Sequence, residues 1–486
     1  MSSSNSRSST PTPANISLFS VSFKSPDKIH VAGANPKVLR IVRENIKQHY
    51  GDVQSETIKN SRTRFQLKDR PFFHLKRVVD KSRVELFVTT LLKNLLKNGW
   101  HLVLNSDLNQ SSSSCKSTLF FQNLPTESYK KAEVCCLKTD FNGLKLLYAP
   151  PELVNALRES IGKELGKECS CSKVYFAKLK KRALHPLTHD KASFKKVSCS
   201  YVLLLKIFTN FRAQGFAFYG TANLKGNADC IFFVNNGFYL SPENYSLMAV
   251  NPNDALRLVN CPKETSDALS AAVEGKWTRR SWLASGGMEC LELKLKAAPG
   301  NERSKGRSLM LEILEESARN GLSVLTSLAM SISSSDRMLL VMRSSSAASI
   351  FHLFVGLSGS NKIRLSGGDE EFRNSMKKVI EDNWISGLLP YLKLRRDECK
   401  LALKGTPWGS RFAHPHSSRS MMTKVLAKLQ NEGFTVLCSA DLPSKWISYG
   451  ASASTNVHTW IVAKSGSCHT IVAYDSCAME SEMGNI

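Results

Sequence analysis

Short runs of alternating apolar and polar residues, a helically spaced apolar stripe and further alternating runs succeed one another along the chain, and the succession occurs four times. Its most regular part is a ten-residue stretch. It reads GWHLVLNSDL from Gly99, GFAFYGTANL from Gly215, GLSVLTSLAM from Gly321 and GFTVLCSADL from Gly433, and the four copies stack without a gap. The spacings of 116, 106 and 112 residues are those of a small domain, not of a solenoid turn.

Each copy opens with two strands, over 16–23 and 28–33, 134–141 and 144–149, 245–251 and 256–260, and 349–357 and 362–367. The second strand carries a basic residue between two apolar ones: His30, Lys145, Arg257 and Arg364. Period two predicts a sheet with one buried and one wet face, and this column reads as the wet side ahead of a functional face. Helices follow over about 36–48, 151–165, 263–276 and 369–383, opened by proline or acidic residues such as Pro36, Pro151 and Glu370. Tyr50, Trp277 and Trp384 near their ends read as core plugs.

A middle strand comes next and closes on lysine in every copy: Lys68, Lys180, Lys296 and Lys404. Pro71, Pro299 and Pro407 stand three residues on in three copies and end the ladder, because proline has no N–H to donate. The second helix carries one apolar stripe, seven and eight residues before each glycine, as at Leu91 and Leu92. A polar residue precedes the glycine each time, so the glycine reads as a left-handed helix C-cap. The strand after the cap leads through a polar loop to a last strand, at 117–122, 229–234, 337–342 and 459–464, and a further strand is expected at 469–475.

The fold class expected is α+β: four tandem repeats of about 110 residues. Each is an antiparallel sheet with two helices packed on one face, in the order strand-strand-helix-strand-helix-strand-strand. The units span 16–124, 130–236, 243–344 and 348–475, between a Ser/Thr/Pro-rich tail at 1–15, expected to be disordered, and a tail at 476–486. Whether neighbouring units share strands stays open at this point.

Charge adds a direction. Against 41 acidic residues stand 66 Lys and Arg, giving +25 and a pI near 9.6, which attracts polyanions. Basic residues gather between the middle strand and the second helix, as in Lys173–Lys196 with Lys181 and Arg182, Arg62–Arg83 with Phe72 and Phe73 interleaved, Arg303, Lys305 and Arg307, and Arg411 with Arg419. In register on four units they would form a multivalent track for phosphates. Residues 1–15 lack an apolar secretory core and no apolar run reaches 18 residues, so a cytoplasmic or nuclear protein without transmembrane insertion is expected. The 13 cysteines then read as reduced thiols.

Catalytic patterns are missing from the sequence. There is no Gly-x-Ser-x-Gly elbow and no phosphate-binding Gly-x4-Gly-Lys-Ser/Thr; the basic stretch Gly300–Arg307 is spaced differently and precedes a helix, where it could hold an anion weakly. Cys169, Cys171, His185 and His189 have part of a zinc-site spacing, with Cys199 as a further ligand, but the cysteines are one residue too close and no other unit repeats the set. His414 and His416 near Cys399 form a weaker set. The column Asp107, Asn223, Ala329 and Asp441 keeps its carboxylate in two copies and reads as loop chemistry.

The expectation is a non-enzymatic tandem-repeat binding protein without metal or other cofactor. It holds a polyanion such as RNA or DNA, or an acidic protein, through Lys68, Lys180, Lys181, Arg182, Lys296 and Lys404. The alternative is a protein–protein interaction scaffold that does not bind nucleic acid.

Overall fold

The computed structural model describes residues 17–465 apart from 60–61, 69, 73–81, 109–114, 125–128, 141–142, 172, 181–193, 225–228, 239, 252–254, 296–304, 329–337, 391, 394–397, 409–414 and 443–456. The expected tails and the strand at 469–475 lie outside the described residues.

Unit 1 runs β1 (Leu18–Lys24), β2 (Lys28–Ala32), α1 (Pro36–Tyr50), β3 (Ser55–Lys59), β4 (Arg62–Gln66), α2 (Arg83–Lys97), β5 (Trp100–Ser106) and β6 (Cys115–Asn123). Unit 2 repeats it as β7 (Glu133–Asp140), β8 (Gly143–Leu147), α3 (Pro151–Ile161), β9 (Leu165–Cys171), β10 (Val174–Leu179), α4 (Phe194–Ala213), β11 (Ala217–Ala222) and β12 (Cys230–Asn235). Unit 3 has β13 (Tyr245–Asn251), β14 (Ala255–Val259), α5 (Lys263–Ala272), β15 (Trp277–Ser285), β16 (Met288–Leu295), α6 (Lys305–Arg319), β17 (Leu322–Leu328) and β18 (Met338–Ser344). Unit 4 has β19 (Ile350–Ser358), β20 (Lys362–Ser366), α7 (Glu370–Asn383), β21 (Leu392–Lys393), β22 (Glu398–Ala402), α8 (Pro415–Asn431), β23 (Thr435–Leu442) and β24 (Val457–Ser465).

The α+β repeat architecture is present in all four units, each a six-stranded antiparallel sheet. The order in unit 1 is β3-β4-β2-β1-β6-β5, and the other three have the same order. Among the described residues no strand is shared between units: the last strand pairs with the first strand of its own unit, as in Phe19 opposite Phe121 and Phe354 opposite Ile461. The helix starts are built as the sequence implies, with Asn35 accepting from the Val38 amide and Asp369 from the Phe372 amide. Gly99, Gly215, Gly321 and Gly433 have φ of 82°, 78°, 75° and 79°, the left-handed cap.

Two features differ from the sequence reading. An edge strand (β3, β9, β15 or β21) stands between the first helix and the middle strand. In β3 every residue is exposed, so no buried face imprints an alternation on its sequence. Second, the inner strands of each sheet are covered on both faces. Leu119 and Phe121 pack on the helices of unit 1, whereas Phe120 between them enters the core of unit 4. Likewise Cys135 and Leu137 join the core of unit 2 and Val134 and Cys136 that of unit 1.

The cause is a cyclic arrangement. Helix α2 packs on β7, α4 on β13, α6 on β19, and α8 returns to β1. The strands that follow the cap glycines, β5, β11, β17 and β23, touch in sequence and close around the centre. Each unit presents its second helix to the back of the next sheet, a head-to-tail contact whose rotation closes after four steps. At the centre the Leu102 amide donates to the Tyr219 hydroxyl at 3.1 Å and the Ser327 hydroxyl to the Ser439 carbonyl at 2.5 Å. The Trp460 indole N–H donates to Ser106 at 2.9 Å, bonding unit 4 to unit 1 across the closing seam.

Candidate polyanion-binding surface

In units 1 and 4 the turn joining the first two strands lies beside the end of the middle strand. The Leu67 amide donates to the Asp27 carbonyl at 2.9 Å, and the Leu403 amide to the Asn361 carbonyl at 2.8 Å. Lys68, Lys180 and Lys404 follow these strand ends and are exposed. Cyclic repetition of equivalent units sets equivalent residues on one circle, so these lysines share one rim of the ring. Trp384, buried as expected of a plug, donates its indole N–H to the Lys404 carbonyl at 3.0 Å and fixes that position. The Lys180 ammonium donates to the Lys163 carbonyl at 3.3 Å, so part of its hydrogen-bonding capacity is used locally. Lys181, Arg182 and Lys296 lie outside the described residues, as does most of each basic loop.

Several sequence candidates occupy other places. Phe72 is core, its ring 5.5 Å from that of Phe23, and offers no stacking platform. The column His30, Lys145, Arg257 and Arg364 is not a wet face: His30 and Arg257 are buried and the other two are half-buried, because the preceding unit's helix lies on that side. Arg257 bonds Glu292 at 2.6 Å and its guanidinium stands 5.6 Å from the ring of Phe194 on α4.

Cys169 and Cys171 are exposed on the edge strand β9, two residues apart and so on one side of it. His185, His189 and His414 lie outside the described residues. Cys199 faces unit 3, 3.4 Å from the Ser285 hydroxyl. Among the described residues no group of three or more His, Cys, Asp or Glu could hold a metal ion. In the aspartate column, Asp107 stands 3.9 Å from His458 across the closing seam and Asn223 donates to Asp229 at 3.3 Å; Ala329 lies outside the described residues. Among the described residues no helix is long and apolar enough to cross a membrane.

The seams hold buried charges, and two of them, Arg307 and Arg419, were expected in the basic loops of the phosphate track; they lie instead inside α6 and α8 and are covered, because the second helix starts before them. Fourteen residues before the cap glycines stand Glu85, Tyr201, Arg307 and Arg419, all buried. Glu85 binds Lys138 of β7, and Arg307 binds Glu398 of β22 at 2.5 Å. The signal available was the position in the repeat: a charged residue on the helical face that must be covered.

This geometry repeats more closely than the sequence does. One protein-family domain model matches the chain three times, over residues 17–122, 244–343 and 352–463, more than half of its length. The chain belongs to that domain family. The matches fall on units 1, 3 and 4, while unit 2 has the same sheet order outside them. Unit 2 is therefore the divergent copy, and it carries Lys180 and the cysteines of β9. No curated protein and no solved structure matches the chain.

Proposed function

We propose that the protein is a non-enzymatic binding ring of the cytoplasm or nucleus that holds a polyanion, RNA or DNA, along the rim bearing Lys68, Lys180 and Lys404. The observation that carries this reading is the placement of exposed lysines at equivalent positions of a cyclic repeat whose charge is +25. Each lysine alone is a weak contact. Several on one rigid rim act together, because the first contact raises the effective concentration of the next. Phosphate neutralisation releases counterions, so affinity falls steeply with salt.

The test is binding of the full chain to a labelled single-stranded oligonucleotide across a salt series. Three phosphate contacts contribute about 2 to the slope of log affinity against log salt, at roughly 0.7 each for single strands. The triple variant Lys68→Gln, Lys180→Gln, Lys404→Gln is expected to lose that amount. No binding at about 50 mM salt, or an unchanged slope in the variant, overturns the proposal.

A scaffold reading rests on the outer edge strands, where Ile58 is 65% and Trp282 44% exposed. Strand addition at an unpaired edge is a common mode of peptide capture. Salt-tolerant retention of specific proteins after nuclease treatment, with no oligonucleotide binding, is the outcome that selects it.

A further inference from the structure

The seam between units 3 and 4 contains a buried guanidinium whose partners cover only part of its donor set. Arg307 lies in the first turn of α6 and is 3% exposed. Its Nη1 is taken by Glu398 at 2.5 Å, while Nε and Nη2 meet no hydrogen-bond partner among the described residues. Those two nitrogens form the edge that binds a carboxylate or phosphate with two parallel bonds. Burying a charged donor without an acceptor forfeits its hydration with nothing in return, so an open fork at a buried site calls for an acceptor.

The surroundings are basic. Arg364 stands 3.6 Å from the same Glu398 oxygen, and across the β20–β22 ladder it is paired directly with Lys400. Like charges opposite one another destabilise a sheet. Lys362, two residues before Arg364 on the same side of β20, adds a further charge. Among the described residues, four cationic side chains thus share the area with the carboxylate of Glu398. The first turn of α6, which holds Arg307, lies beside them, and the positive end of a helix dipole favours an anion.

From this arrangement we propose that the seam between α6 and the back of the unit 4 sheet is a binding site for a phosphate-class oxyanion. Arg307 grips it through Nε and Nη2, and Arg364, Lys400 and Lys362 neutralise it. The same anion removes two costs, the unfilled fork and the Arg364–Lys400 repulsion. Burial, reinforced by repulsion from Lys362 and Arg364, already lowers the Lys400 pKa. Arg307 is lowered to about 10, first by burial and then by Arg364, with Glu398 opposing. The site is not repeated at the first two seams, where the equivalent helix position is Glu85 between units 1 and 2 and Tyr201 between units 2 and 3; the seam between units 4 and 1 carries Arg419 there. It is also separate from the rim lysines, and stands if they fail.

The experiment is thermal unfolding of the full chain against inorganic phosphate and sulfate, with chloride at matched ionic strength as the reference. A saturable rise in Tm specific to the oxyanions is expected. It should weaken at least tenfold in apparent affinity in the double variant Arg364→Gln, Lys400→Gln, whose side chains are only half-buried. Arg307→Lys keeps the charge without the fork and should lose the same response. No rise beyond chloride, an equal rise in the double variant, or a crystal grown in phosphate with only water on Arg307 Nε and Nη2 overturns the proposal. Displacement of phosphate by a single-stranded oligonucleotide assigns the anion to a nucleic-acid phosphate; undiminished phosphate binding in its presence assigns it to a free oxyanion.

Discussion

Replacing Phe120 by alanine separates a closed ring from four units on a string. Phe120 sits on β6 of unit 1, yet its side chain is 0% exposed and meets Trp460 of unit 4 edge-on, ring centroids 5.9 Å apart. Leu104 and Leu108 of unit 1 accompany it in that core. Truncating a buried phenylalanine removes its transfer free energy and leaves a cavity, together about 3–5 kcal/mol. Were the ring open, Phe120 would stand on a wet face and the change would cost about 0.5 kcal/mol or less. At 1.4 kcal/mol per tenfold, a loss of about 4 kcal/mol is close to a thousandfold in the folding equilibrium. Denaturant unfolding followed by tryptophan emission reads the cost, because Trp460 is fully buried in the affected core. Hydrogen exchange reads the place: protection should fall in β23 and β24 of unit 4, with less change around α1. Phe121→Ala is the control, expected to cost as much but to loosen unit 1. A cost below about 1 kcal/mol for Phe120→Ala, or protection lost only within unit 1, refutes the closed ring. If the alanine variant does not accumulate, Phe120→Leu should show the same pattern at smaller amplitude.

Two further outcomes are expected. Glu85→Leu leaves Lys138 buried without its counter-charge and should destabilise by about 3–5 kcal/mol, whereas Glu85→Leu with Lys138→Met should recover most of the loss; equal losses in equilibrium unfolding would refute the pairing across this seam. His101 and His352 are buried, and burial lowers both pKa values to about 4. The unfolded chain, with histidines near 6.5, therefore binds more protons than the folded one between about pH 6.5 and 4. Stability is full above that window and falls through it by at most about 1.4 kcal/mol per histidine per pH unit, a slope that His101→Gln with His352→Gln should flatten in urea titrations.

The sequence by itself made the repeat and most of its helices and inner strands legible, because these depend on local chemistry. A left-handed glycine after an amphipathic helix, a first-turn proline and a period-two run act within a few residues, and each is visible wherever it recurs. It also located the lysines at the ends of the middle strands, since strand termini are set by the same local signals. The edge strands were not legible, because a strand wet on both faces has no reason to alternate. Burial of both sheet faces did leave a trace, the nearly continuous apolar runs LMAV in β13 and LFF in β6, which alternation alone does not explain. What covers the second face could only come from the tertiary structure. The partner of Phe120 is Trp460, 340 residues away, and that of Arg307 is Glu398, 91 residues away. Nothing local in either residue names its partner. Closure of the ring makes the choice, by bringing the last helix onto the first sheet and turning a column of basic strand residues from a surface into a seam.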